Sequence, residues 1–219
     1  MQDQPYTIAQ TATDAIAINK VMRNTYLLLS FTLVWSAIVA GVAMAVNAPP
    51  LGIFGFLIGA YGTMFLVHKY KNSAMGIVWI FAFTGIMGYS IGPLLNMYLK
   101  LNNGGAIIMQ ALGGTGAIFL ALSAYALISR KDFSFLSGFI FVGCCVLLGA
   151  MIAGFFFHIS GLNLAISAGF ILFSSACILF QTGQIIHGGE RNYITATISL
   201  YISIYNIFLS LLNLLSARD

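Results

Sequence analysis

The chain has 219 residues, 60% of them hydrophobic and only 6% charged, with a mean hydropathy of +0.96. A soluble domain is about 25% charged, so nine Lys and Arg with five Asp and Glu cannot cover a water-facing surface, and the same figures exclude disorder. The pI near 9.0 comes from scattered cations without a basic stripe, which argues against nucleic-acid binding and leaves an integral membrane protein.

Residues 1–24 are predicted to form a polar tail, of which Ala12 to Met22 could extend the first helix, residues 25–215 the transmembrane domain and residues 216–219 a short end. A membrane-spanning helix needs about 20 apolar residues, and seven such runs are present: 25–46, 51–68, 74–99, 106–128, 136–158, 162–186 and 193–215. The breaks between them are short and rich in Gly, Pro, Asn and charge, which predicts one all-α seven-transmembrane-helix bundle. Twenty-residue apolar runs also exclude a β-barrel, whose strands alternate over about ten residues.

In the first run, Ala43-Met-Ala45 after Lys20 and Arg23 fits a signal-peptide cleavage pattern, but the apolar stretch is longer than a 7 to 15-residue signal core and is taken as a span. Gly55 and Gly59 in the second run, and Gly88 and Gly92 in the third, have the spacing of close helix contacts. Gly92-Pro93, with Asn96 one turn later, predicts a kink or break and points to a cavity wall. Gly113 to Gly116 in the fourth run lacks the Lys and strand context of a phosphate loop and is helix packing. Cys144, Cys145 and Cys177, in the fifth and sixth runs, are predicted packing residues with no disulfide framework.

Neutral polar residues form the clearest pattern. In the last run Ser199, Ser203, Asn206, Ser210 and Asn213 share one face, which must turn inward in lipid and predicts a central helix. The sixth run adds Ser167, Ser174, Gln181 and Gln184, the first three at heptad spacing. Two readings remain open for this pair of stripes: interhelical hydrogen bonding, or a hydrated cavity with a weak ion path.

Lys20, Arg23, Lys69, Lys71, Arg130, Lys131 and Arg191 fall on the side of the N-terminus, against Lys100 and Arg218 on the other. The positive-inside rule then places the N-terminus in the cytoplasm and the C-terminus outside. Asp3, Asp14, Asp132, Glu190 and Asp219 all lie outside the spans, and His68, His158 and His187 sit at span ends. A cation pump, a metal or cofactor site and an intramembrane enzyme are therefore not expected, and no small-molecule substrate is evident.

Thr84 to Leu95, Leu122 to Ala126, Lys131 to Gly138, Phe180 to Ile186 and Leu200 to Phe208 follow one another in an order that resembles the Bax inhibitor-1 family. The segments Lys20 to Tyr26, Ile186 to Glu190 and Ser216 to Asp219 are similar to its bacterial inner-membrane members. The resemblance implies a last helix surrounded by the other six and a multi-pass protein of the bacterial inner membrane. Calcium-leak members carry two acids that share a proton, and matching their motifs puts Gln181 and Ser203 in those places, facing one another, where neither can ionise. Inner-membrane members instead associate with the membrane-anchored ATP-dependent protease FtsH and the prohibitin-like HflK and HflC proteins, as slowly degraded substrates that restrain proteolysis. A noncatalytic protease modulator is thus the expected function, with an ion leak lacking the acidic gate as the alternative. The tail, including Met1, Gln2, Asp3 and Gln4 and ending at Lys20 and Arg23, is a candidate handle: extended, 23 residues reach roughly 75 to 80 Å.

Overall fold

A computed structural model describes residues 4–157 and 161–217. Its elements are α1 (Gln4–Ala45), α2 (Gly52–Tyr70), α3 (Ala74–Leu99), α4 (Gly104–Ser129), α5 (Leu136–Phe156), α6 (Leu162–Ile186) and α7 (Tyr193–Ser216), with no strand among the described residues. All seven are long and apolar enough to cross a membrane. Met1, Gln2, Asp3, His158, Arg218 and Asp219 lie outside the described residues.

α1 differs from its predicted span. It runs 42 residues without a break at residue 24, because nothing between Pro5 and Asn47 interrupts a helix beyond the single Gly41. The stretch Ile16–Ala45 contains a window apolar enough to cross a membrane. The extended reach of the tail accordingly does not apply to residues 4–23: twenty helical residues cover about 30 Å.

The helix ends follow local chemistry. α1 stops at Asn47, with φ 48°, ahead of Pro49 and Pro50, and α4 stops at Arg130, with φ 47°. α6 begins after Gly161 and ends before Gly188, both left-handed. At α7 the Asn192 side chain accepts from the Ile194 and Thr195 amides, satisfying two of the donors that every helix start leaves free. Its Nδ2 donates to the Lys71 carbonyl at 2.9 Å and to Asn72 Oδ1 at 2.8 Å, tying the α2–α3 and α6–α7 turns together. Phe133 packs on Gly183, and Ile18 on Gly188, so the segments carrying the seven cations meet at one end of the bundle, the basic end.

α7 is the most buried span and touches α1, α2, α3, α4 and α6. It does not touch α5, so five helices rather than six surround it. α5 packs on α6 alone, through Gly143 against Phe173 and Leu147 against Gly169. It is apolar on every side, and a helix without a polar face needs no protein cover in lipid. Cys144 and Cys145 are exposed on this outer helix rather than packed, and only Cys177 is half-buried.

The core wraps α7: Ile194, Ile198, Tyr201, Ile204 and Ile207 meet Leu28 and Leu29 of α1 and Ile80, Phe83 and Met87 of α3. The glycine spacing of α3 seats α1. A Cβ at Gly88 would run into the Ser36 carbonyl, and one at Gly92 would lie 2.6 Å from Ala43 Cβ and 3.0 Å from the Ala40 carbonyl. Backbones this close gain dispersion along the whole seam. Pro93 does not break α3, which is continuous to Leu99. Asn96 Nδ2 donates to the Met44 carbonyl at 3.0 Å, and Tyr89 Oη to the Pro49 carbonyl at 3.0 Å, anchoring α3 to the end of α1.

Candidate polar seam and N-terminal handle

The α6 and α7 stripes do face each other. Asn213 Nδ2 donates to Ser167 Oγ at 2.8 Å, and Ser167 donates to the Asn163 carbonyl at 2.9 Å. That bond sets the antiparallel register. Fourteen residues along α6 from Ser167 stands Gln181, and fourteen back along α7 from Asn213 stands Ser199; at half that distance Ser174 and Asn206 are level.

Ser203 stands four residues, about 6 Å, deeper than Ser199. Its hydroxyl donates to the Ser199 carbonyl at 3.0 Å, one turn back on its own helix. Gln181 Nε2 is buried without a hydrogen-bond partner. The two positions expected to face one another are thus on facing stripes, and no hydrogen bond joins them. Gln184 belongs to the helix end: its carbonyl accepts from the Gly189 and Glu190 amides at 2.9 and 3.1 Å.

Further unpartnered buried atoms lie in the same half: Thr25 Oγ1 and Tyr26 Oη on α1, Ser123 Oγ on α4, Thr182 Oγ1 on α6 and Thr195 Oγ1 on α7. Each such group in a dry site costs about 1–3 kcal/mol. Ser174 Oγ, midway along α6, is unpartnered as well. These are uncharged polar groups buried within the bundle. No cluster of His, Cys, Asp and Glu suited to a metal ion occurs among the described residues.

A second polar site was not expected from sequence. Tyr201 of α7, 2% exposed, has its hydroxyl 2.6 Å from Ser36 Oγ on α1 and 3.5 Å from the Thr84 carbonyl on α3. Beside it a cavity of about 440 Å³ opens between α1 and α4, with Tyr205, Ile204 and Phe208 on its floor and Ile91 and Leu95 on its α3 wall. The cavity wall predicted at Gly92 and Pro93 is therefore formed by their neighbours, and Gly92 faces α1.

At the basic end Lys20 and Arg23 are exposed on α1. Gln4 starts the helix, and Met1, Gln2 and Asp3 lie outside the described residues. A cavity of about 120 Å³ separates Ala17, Ile18 and Val21 from Gly188, Glu190 and Arg191. On the α4–α5 turn, hydrogen bonds from the Ser134 hydroxyl and amide hold the Asp132 carboxyl below its usual range.

Residues 18–219 match the family described as Inhibitor of apoptosis-promoting Bax1. The chain belongs to this family. Among its relatives, an uncharacterized protein of Pseudomonas aeruginosa is 56% identical over 214 residues, covering 98% of this chain and 96% of its own length. Modulator of FtsH protease YccA of Escherichia coli K12 is 50% identical over 219 residues, covering 99% of this chain and 100% of its own. A membrane protein of Vibrio cholerae is 44% identical over 220 residues, covering 100% and 99%. The family match thus covers nearly the whole chain, including the polar seam, the Tyr201 site and α1 from residue 18 onward.

Proposed function

We propose that this chain is a noncatalytic modulator of an FtsH-type protease in the bacterial inner membrane, itself a slowly degraded substrate that occupies the protease. The observation that carries the reading is full-length similarity, at 50% identity, to a protein named for modulating that protease. The residues agree with it: the buried polar groups of the seam are neutral, and Lys20 and Arg23 are exposed on α1 at the basic end. The basic end faces the cytoplasm and the C-terminus faces outside. Residues 1–24, with Met1, Gln2, Asp3 and Gln4 at their head, are the handle; residues 25–215 form the membrane domain and 216–219 its end. HflK and HflC are the accompanying partners. Gln181, Gln184, Ser199, Ser203, Asn206 and Asn96 are polar positions for internal bonding and hydration, with Gly92-Pro93 as the kink in α3 one turn before Asn96. A pull-down from mild detergent, with and without residues 1–20, tests the proposal. FtsH should co-purify with the full chain, and its absence there overturns the reading.

A further inference from the structure

Resting on that reading, we infer that the seam joining α1 to α3 and α7 is the brake that makes the chain a slow substrate. A protease pulling from the N-terminus must extract α1 first, and α1 is held at points from Ile18 to Met44. At the basic end Ile18 packs 3.6 Å from the position a Cβ would take at Gly188. Deeper, Thr197 Oγ1 donates to the Thr25 carbonyl at 3.3 Å, Trp35 Nε1 donates to the Phe81 carbonyl at 3.1 Å, and Ser36 meets Tyr201 at 2.6 Å. At the far end Gly92 seats Ala43, and Asn96 holds the Met44 carbonyl at 3.0 Å.

Force along the axis of α1 loads these contacts together, in shear, instead of peeling them singly. The barrier is then the sum of a close-packed seam and several hydrogen bonds, and extraction under force is governed by that barrier rather than by equilibrium stability. α5 offers the contrast. It is remote from the handle in sequence and packs on α6 alone, so loosening it lowers stability without freeing α1.

The experiment follows the half-life of the full chain with FtsH and ATP in proteoliposomes. Gly88→Ala and Gly92→Ala should shorten it by about threefold or more. Leu147→Ala, in the α5–α6 seam and matched to them by loss of thermal stability, should change it by less than about twofold. Tyr201→Phe keeps the ring and removes only the hydroxyl, so it carries the test if the glycine variants fail to fold, and it should also shorten the half-life. Equal acceleration by Leu147→Ala, or unchanged half-lives in the α1 seam variants, overturns the brake. Wild-type chain that FtsH neither binds nor cleaves overturns the modulator reading and the brake with it, whereas wild-type cleavage with insensitive seam variants overturns the brake alone.

Discussion

The hydroxyls of Tyr201 and Ser36 lie 2.6 Å apart in the buried centre of the bundle, joining the last span to the first. Because the Tyr201 hydroxyl also approaches the Thr84 carbonyl at 3.5 Å, one side chain ties three helices. Tyr201→Phe leaves Ser36 Oγ without that partner and should destabilise the protein by about 1 kcal/mol, since hydrogen bonds within membranes are worth about that or less. Thermal unfolding in detergent measures it, and an unchanged midpoint would deny the bond any energetic weight.

Asn192 is expected to matter more. It caps α7 through two amides and clamps the α2–α3 turn through Lys71 and Asn72. Asn192→Ala should cost about 2 kcal/mol, a lost cap plus lost interloop bonds. Asn192→Asp keeps the cap and loses the clamp, so the difference between the two variants, read by unfolding, separates the contributions.

Arg130 sits at φ 47°, a left-handed conformation that costs a side-chain-bearing residue about 1–2 kcal/mol. Arg130→Gly should therefore raise stability by about 1 kcal/mol. The same substitution removes one cation from the basic end, so topology mapping should accompany the unfolding measurement.

The seven spans are legible because runs of twenty apolar residues have few other uses, and the polar stripe of α7 by itself implies a central helix. Three features were not legible. The tail contains no residue that stops a helix after Pro5, yet its polarity also fits a loop, so the sequence leaves open whether α1 continues into it. Gln181 and Ser203 were paired by motif, whereas the Asn213–Ser167 bond sets a register that brings Ser199 level with Gln181. The role of Tyr201 is not legible because a tyrosine among isoleucines looks like core, and its polar partners, Ser36 and the Thr84 carbonyl, lie far away in sequence.

Gln181 and Ser203 carry no titratable group, and the buried unpartnered atoms around them are all neutral. Reconstituted vesicles should show no calcium flux that changes between about pH 6 and 8, because a shared-proton gate needs two nearby acids. A steep pH-dependent flux in the unmodified chain would make permeation its main activity.

The central claim is that this chain restrains an FtsH-type protease by occupying it. The most direct measurement is the half-life of an unrelated membrane reporter degraded by FtsH in proteoliposomes, with and without equimolar chain. The reporter should persist longer when the full chain is present and return to its original half-life when residues 1–20 are removed. A reporter half-life that ignores the full chain would contradict the account.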